Sequence, residues 1–465
     1  MKLSKKIIAL FIAVMMVVSA IPFTAFADDI HCPECGSTDV EQIYGSQYKC
    51  NECFEWFEYT PPSGPPCPEC GSTNTQQMSG EYYMCLDCNE NFRYVDPNDT
   101  VEGDGSEYDP YMVGSYNALV NLCNSFWDEW YEDYAPYVQL KADIDFSNVI
   151  MTLGYGINLN LDTYHIDCGQ METRFEGGNF TVTGSTGGYI SKLRIQEGAT
   201  VNLNSGTLKD VTVDNSTLVI NGGSITEDFE TDNHAVVEMN NGTACEIDMD
   251  DTSEFTMTSG TVENFIHLNG QSTSVISGGT IPGGLILNGS AACEVSGGTF
   301  TAVNTVVNGG TLTVSGGDFS GQYGGILNYG GAVEVTGGTF GCVTNTSGTM
   351  ALKGGNYEKR PSYYNNDELG YLETYVPNGF NVEETTDYFT VVPVPVHTII
   401  WQNWDDTILE TDAEVEEGET PTYDGETPTK PEDENNTYTF SGWSDGTNTY
   451  ASNEIPAVTG DVTYT

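Results

Sequence analysis

The stretch Ser296-Gly-Gly-Thr-Phe300 recurs, with small variations, nine times along the middle of this 465-residue chain. When the second glycine of each copy, or its single-glycine equivalent, is aligned, successive copies lie 17 to 21 residues apart. Self-similarity at a fixed short period is typical of proteins built from stacked repeats. The aligned positions are Gly206, Gly223, Gly242, Gly260, Gly279, Gly298, Gly317, Gly338 and Gly355.

Apolar residues flank these glycines in strict alternation with polar ones. Leu312 and Val314 lie four and two residues before one glycine pair, and Phe319 lies two residues after it. The residues between such positions are mostly Thr, Ser, Asn or Glu. Alternation of this kind predicts short strands with one buried face. The glycines predict corners where the backbone bends sharply or closely approaches its neighbour.

We therefore predict a mainly β protein built on a right-handed parallel β-helix, a solenoid of coils of about 19 residues. One coil cannot bury its apolar face alone, so neighbouring coils must stack. The competing interpretation is a series of antiparallel hairpins in a sandwich or barrel. Gly-Gly-Thr corners in place of Asn-Gly turns, and the return of each residue type at the same phase, favour the solenoid.

Residues 1–27 have the three parts of a secretory signal peptide. A basic start with three lysines precedes an apolar run from about Ile7 to Phe23, and Ala25-Phe-Ala27 supplies a small-residue cleavage site. The alternative is an uncleaved membrane anchor, for which the run is slightly short. We expect a secreted or cell-surface (cell-wall) protein with no membrane span in the mature chain.

The chain is strongly acidic. It has 14 Lys and Arg against 68 Asp and Glu, a formal net charge of −54. Removing the signal takes away three lysines and no acids, so the mature charge is 11 − 68 = −57. Such a surface repels nucleic acid and anionic membranes and favours solubility. We therefore expect no nucleic-acid partner.

Eight of the thirteen cysteines form four Cys-x-x-Cys pairs within residues 28–95. In each set of two pairs, 14 residues separate the pairs, and the second set repeats the first 35 residues later. This spacing can place four thiolates tetrahedrally about 2.3 Å from one zinc ion. We predict two zinc ions that supply most of the folding energy of two small modules. The predicted ligands are Cys32, Cys35, Cys50 and Cys53 for the first ion, and Cys67, Cys70, Cys85 and Cys88 for the second.

Both cysteine sets begin Cys-Pro-Glu-Cys-Gly-Ser, which resembles the zinc-ribbon family. The resemblance covers 31–60, within a first module at 28–60, and a second module at 66–95. Export favours a disulfide framework as the alternative. A redox-active Cys-x-x-Cys is a third interpretation, although no βαβ pattern surrounds these pairs. A polar link at 96–109 follows.

The next segment resembles the lead-in of exported bacterial β-helix proteins. The resemblance rests on Gly103-Asp-Gly-Ser-Glu-Tyr-Asp-Pro-Tyr111 and on Leu140-Lys-Ala-Asp-Ile-Asp-Phe146. Between them, Asn117 to Trp130 is the predicted helix, which would cap the exposed edge of the first coil. We assign the cap and first coils to 110–200, and the regular rungs with a closing segment to 201–391.

After a Val-Pro-Val-Pro-Val linker at 392–396, residues 397–465 resemble the internalin-type B-repeat, also called the Listeria–Bacteroides repeat. That family is a small β-grasp-like module of surface proteins, and its pattern normally runs one strand beyond Thr465, so the module looks truncated. The matching residues are Ile399-Ile-Trp401, Trp404-Asp-Asp-Thr-Ile-Leu409, Pro421-Thr-Tyr423, Pro428-Thr-Lys430 and Tyr438-Thr-Phe-Ser-Gly-Trp443.

Together these modules resemble exported bacterial cell-surface proteins and imply adhesion, with an extracellular glycan or a host or cell-surface protein as partner. We predict no catalytic residue and no enzyme activity. The alternative is a polysaccharide-active β-helix enzyme. Lyases of that kind need a basic residue, and 196–357 contains only Lys209 and Lys353. A glycosidase needs only two carboxylates, and the densest acidic cluster is Glu246, Asp248, Asp250 and Asp251.

Overall fold

A computed structural model describes residues 40–44, 47–51, 53–54, 56–58, 65–79, 82–93, 99–126, 135–147, 149–154, 156–300, 304–321, 325–358 and 372–465. The chain forms two compact units, Met1–Asp96 and Pro97–Thr465. The predicted signal peptide at 1–27 lies outside the described residues. Among the residues that are described, no helix has the length and apolar character needed to cross a membrane.

The first unit contains two small antiparallel sheets of three strands each. Each sheet keeps its strands in sequence order, as expected when short hairpins connect them. The strands are β1 (Val40–Tyr44), β2 (Gln47–Cys50) and β3 (Trp56–Glu58), then β4 (Thr75–Ser79), β5 (Tyr82–Cys85) and β6 (Asn91–Arg93).

A strand and a helix precede the first coil of the second unit: β7 (Tyr111–Val113) and α1 (Tyr116–Ser125). Ser115 caps α1, because its hydroxyl accepts a hydrogen bond from the Ala118 N–H at 3.0 Å. Leu119 and its apolar neighbours are buried in the solenoid core. The predicted capping helix is therefore present, ending at Ser125; residues 127–134 lie outside the described part of the chain.

The rest of the second unit is mainly a parallel β-solenoid of about 11 turns, which confirms the fold class predicted from the glycine repeat. Parallel strands stack in three columns, which we name faces A, B and C in the order in which each coil visits them. Face A contains β8 (Tyr137–Leu140), β11 (Asn158–Asn160), β14 (Asn179–Thr183), β16 (Thr200–Leu203), β18 (Thr217–Ile220), β21 (Val236–Met239), β24 (Glu254–Met257), β27 (Thr273–Ile276), β29 (Ala292–Val295) and β31 (Thr311–Val314).

Faces B and C are built in the same way, and four longer strands bend from one face to the next. Face B contains β9 (Ile144–Asp145), β12 (His165–Asp167), β19 (Ser224–Ile225), β22 (Thr243–Ala244), β25 (Thr261–Val262), β32 (Asp318–Phe319), β34 (Thr339–Phe340) and β36 (Asn356–Glu358). Face C contains β10 (Met151–Leu153), β13 (Thr173–Glu176), β20 (Phe229–Asp232), β23 (Ile247–Met249), β26 (Ile266–Leu268), β28 (Leu285–Leu287) and β30 (Asn304–Val307). The bending strands are β15 (Tyr189–Gln196) and β17 (Thr207–Asp214), from B to C, and β33 (Gly325–Val335) and β35 (Cys342–Leu352), from C to A.

Each repeated glycine pair forms a corner between faces A and B. At Gly297, an added Cβ would lie 2.3 Å from the carbonyl oxygen of Ser277 on the preceding coil. Gly298 has φ +99°, in the left-handed region that other residues rarely adopt. One glycine thus permits close stacking and the next permits the bend, which confirms both roles predicted for them.

The alternating apolar residues point inward and form one continuous core. The aromatic residues two positions after the glycines stack in a column on face B. Ring centroids are 4.4 Å apart for Phe300 and Phe319, 5.1 Å for Phe319 and Phe340, and 5.2 Å for Phe340 and Tyr357. Cys293, an inward position in the repeat, is buried, and burial raises the pKa of its thiol to about 12.

Two strands close the solenoid and lead into the C-terminal module. β37 (Phe380–Glu384) pairs antiparallel with β38 (Tyr388–Pro393), which itself pairs antiparallel with β36. The module has a three-stranded sheet and a two-stranded hairpin around a core that includes Trp401 and Trp443. Its strands are β39 (Val396–Gln402), β40 (Ile408–Glu416) and β43 (Val462–Tyr464), with β41 (Trp443–Ser444) and β42 (Thr449–Tyr450) as the hairpin.

Candidate metal centre and surface sites

The second cysteine set forms one cluster. Cys67 and Cys70 lie in the loop before β4, Cys85 ends β5 and Cys88 lies in the following turn. All four Sγ atoms are within 4.8 Å of one another. The distance is 3.6 Å between Cys67 and Cys88, and 3.5 Å between Cys70 and Cys85. Four sulfurs around a zinc ion at about 2.3 Å are about 3.8 Å apart, whereas a disulfide needs about 2.05 Å. The donor set and spacing fit one metal ion.

Backbone turns hold these thiols as two knuckles. The Gly71 N–H donates to the Cys67 carbonyl at 2.8 Å, and the Asn89 N–H donates to the Cys85 carbonyl at 2.9 Å. Burial of the Cys85 thiol opposes ionisation, but the backbone N–H groups of Cys88 and Asp87 donate to it and lower its pKa to about 7. A thiolate is the form that binds metal. The backbone hydrogen bond from Glu90 lowers the pKa of Cys88, but hydrogen bonds with the Cys70 and Cys85 thiols outweigh it and raise this pKa to about 12, and the pKa of Cys70 is also raised. Of these three thiols, Cys85 therefore ionises most readily.

The first cysteine set is only partly described. Cys50 is buried and Cys53 partly buried, whereas Cys32 and Cys35 lie outside the described residues. The strand register nonetheless repeats that of the second set: Val40 pairs with Cys50 as Thr75 pairs with Cys85, 35 residues later. The second metal ion, at the first set, stays a prediction.

Two of the four acidic residues singled out in the sequence come together on face C. One carboxylate oxygen of Glu246, one of Asp248 and one ring nitrogen of His267 all lie within 4.8 Å of one another. Asp250 follows at the end of β23, and Asp251 lies exposed at the corner with φ +55°. The sequence pattern did not point to His267 as part of a site. It lies 19 residues after Asp248, which is the length of one coil.

The C-terminal module has a shallow pocket of about 270 Å³. Trp404 and Tyr438 at this pocket are 49% and 41% exposed. The Lys430 Nζ lies 4.8 Å from the Trp404 ring centroid and 4.4 Å from that of Tyr438, so the cation contacts both rings. Gln402 and Asn403 add amide groups to the wall. Aromatic faces beside convergent polar groups are typical of ligand sites.

A polar groove of about 450 Å³ crosses the first coils of face A. Its floor is made by outward-facing positions of adjacent strands, including Tyr137, Gln139, Asn160 and Thr183. Parallel stacking repeats these hydroxyl and amide groups from coil to coil, as in the pairing of Gln139 with Asn160 and of Asn160 with Thr183. Such a surface can form hydrogen bonds with an extended polar ligand.

No protein-family model, curated protein or solved structure matches the chain. Its function is therefore argued from its own sites, because a fold by itself does not specify a function.

Proposed function

We propose that this chain is a secreted or cell-surface binding protein, in which an acidic solenoid presents a small module that binds an extracellular glycan. The pocket beside Trp404 carries the proposal. Large apolar residues left half-exposed at a concave site mark binding surfaces. Pockets that enclose drug-sized ligands have about 300–1,000 Å³. The smaller pocket here fits one sugar unit of a longer chain better than a protein surface.

The solenoid suits the role of a support. About 11 coils stacked at a strand spacing of about 4.8 Å make a body about 50 Å long. Its core is continuous from β7 to Val391, so the body resists bending. Its acidic exterior favours solubility and keeps it from binding anionic polymers.

We further propose that zinc occupies both cysteine sets, one ion at Cys67, Cys70, Cys85 and Cys88 and one at Cys32, Cys35, Cys50 and Cys53. The sulfur spacing of the second set and the matching strand register of the first support this. Zinc supplies stability to sheets whose own cores are very small, such as the group of Cys67, Cys85 and Phe92.

A binding array tests the proposed function. The mature chain is applied to immobilised extracellular glycans and host proteins beside Trp404→Ala, which removes the exposed ring at the pocket. Tyr329→Ala is the matched control, because Tyr329 is an aromatic residue equally exposed, at 49%, on the solenoid. We expect glycan binding that Trp404→Ala abolishes and Tyr329→Ala keeps. Binding that survives in Trp404→Ala, or binding only to proteins, contradicts the proposal.

A polysaccharide-active enzyme is the second candidate. The observation that favours it is the approach of the Glu246 and Asp248 carboxylates to within 4.8 Å, near the separation of about 5–5.5 Å used by retaining glycosidases. Cleavage of plant or mucin glycans by the wild type, abolished in Asp248→Asn, would favour this candidate.

A further inference from the structure

Face C carries a group of two carboxylates and an imidazole separate from the cysteine cluster. Glu246 immediately precedes β23, Asp248 lies within β23, and His267 lies on β26 one coil later. The parallel register sets Asp248 directly beside His267. One ligand atom from each of the three residues lies within 4.8 Å of the others. The three side chains are 29 to 38% exposed, so an ion from solvent can reach them.

We propose that Glu246, Asp248 and His267 form a site for a divalent transition-metal ion, with Zn²⁺ as the probe. One imidazole nitrogen with two carboxylates is a donor set that suits zinc and leaves a position open to solvent. Ca²⁺ and Mg²⁺ take oxygen ligands and gain nothing from the imidazole.

The geometry of the ring supports this assignment. Asp248 Oδ1 lies 2.7 Å from His267 Nδ1, within hydrogen-bonding distance. His267 Nε2 then faces Glu246, whose Oε1 is 3.8 Å away. One oxygen of each carboxylate and one nitrogen of this ring lie within 4.8 Å of one another. The three side chains are thus placed to share an ion.

His165 on face B shows the contrasting arrangement. Its Nδ1 lies 3.1 Å from Asp143 and its Nε2 lies 3.0 Å from Asp145, so each ring nitrogen has its own carboxylate. The ring also stacks on Tyr189 at 4.7 Å. At His267, by contrast, one ring nitrogen and one oxygen of each of two carboxylates lie within 4.8 Å of one another.

The surrounding charge also favours a cation. Glu230 lies directly beside Asp248 on the preceding coil. Like charges on neighbouring strands destabilise a sheet. A bound cation offsets this repulsion and links two consecutive coils.

Zinc binding by the full mature chain tests the site. Zinc is first loaded onto the cysteine sets, loosely held metal is removed with a chelating resin, and Zn²⁺ is titrated by calorimetry in 150 mM NaCl to screen diffuse attraction. Asp248→Asn and Asp250→Asn are the matched pair, because each removes one negative charge at β23: Asp248 lies within this strand and Asp250 directly follows it. His267→Gln and His234→Gln form a second pair, since His234 is an exposed histidine outside the site.

We expect one additional Zn²⁺ per chain, with an affinity at least about tenfold lower in Asp248→Asn and His267→Gln and unchanged in the two control variants. Thermal unfolding without added zinc checks that all four variants are folded. Equal weakening in Asp248→Asn and Asp250→Asn indicates diffuse binding to an acidic surface and overturns the proposal. Absence of any additional ion in the wild type does the same.

Discussion

Two buried threonine hydroxyls in the solenoid core differ in whether they have a hydrogen-bond partner. Thr173 on β13 is fully buried, and its Oγ1 has no hydrogen-bond partner among the described residues. Thr231 on β20 is equally buried, but its Oγ1 accepts a hydrogen bond from the Asp250 N–H at 3.1 Å. Burying a polar group without a partner costs free energy, whereas a satisfied group contributes to stability.

Replacing these two threonines by valine should therefore have opposite effects. Thr173→Val keeps the shape and removes an unsatisfied hydroxyl, so we expect the free energy of unfolding to rise by about 1 kcal/mol. Thr231→Val leaves the Asp250 N–H without its acceptor and should lower the free energy of unfolding by about 1–2 kcal/mol. Denaturant unfolding of both variants measures the difference. A loss of stability in Thr173→Val would show that its hydroxyl has a partner.

Asp214 on face C provides a pH-dependent contribution. A hydrogen bond from the Asn233 amide, opposed by burial and aided by the charge of Arg194, lowers the pKa of Asp214 below its ordinary value of 3.8. A carboxyl whose pKa is lower in the folded chain stabilises the fold at pH values above the unfolded pKa, and this contribution is lost as the pH falls through the folded pKa.

We accordingly expect Asp214→Asn to be less stable than the wild type at pH 7, with the difference shrinking as the pH falls below about 4. Unfolding measured from pH 7 to pH 2 checks this. The Arg194 Nη2 lies 2.6 Å from Asp214 Oδ2, so Arg194→Gln should reduce the same pH dependence. A difference that stays constant across this range would contradict the assignment.

At the scale of elements, the aromatic column on face B joins neighbouring coils through ring stacking. Phe319 on β32 lies in the middle of this column and is fully buried. Phe319→Ala should lower the free energy of unfolding by about 3–5 kcal/mol, since it leaves a cavity and breaks two ring contacts. Phe319→Leu keeps most of the apolar volume and should cost clearly less. Equal losses in both would mean that stacking, rather than filled volume, dominates.

The sequence predicts these strands and corners well, because every coil of a solenoid repeats the same short pattern of glycine, apolar and polar residues. Glycine spacing located the corners, and alternation located the inward residues, including Cys293 and Phe319. It did not reveal the division into three faces. Strands such as β15 and β33 continue around a corner from one face to the next, and nothing in the local pattern marks that bend.

At the scale of the whole molecule, the cysteine modules and the solenoid belong to two separate compact units. If zinc occupies the cysteine sets as we propose, removing it should unfold only the first unit, whose sheets have very small cores of their own. We expect a strong chelator to abolish the near-ultraviolet circular dichroism contributed by the aromatic residues at 40–93. The melting temperature of the solenoid should stay within about 2 °C of its value without the chelator. Once loosely held metal has been removed with a chelating resin, elemental analysis should show two zinc ions per chain before the strong chelator is added. Fewer than one ion per four-cysteine set, with no free thiols, would support the disulfide framework instead.

The sequence by itself determined the parallel solenoid, the cap helix and the spacing of both cysteine sets, because stacking requires the same residue type at the same phase and knuckles require fixed local spacing. Only the tertiary structure decided which of the four acids near Glu246 converge, and that His267 joins them. It also placed Lys430 between Trp404 and Tyr438. These groupings depend on the register between coils and on the path of loops, both set by packing across distances that a local sequence pattern does not encode.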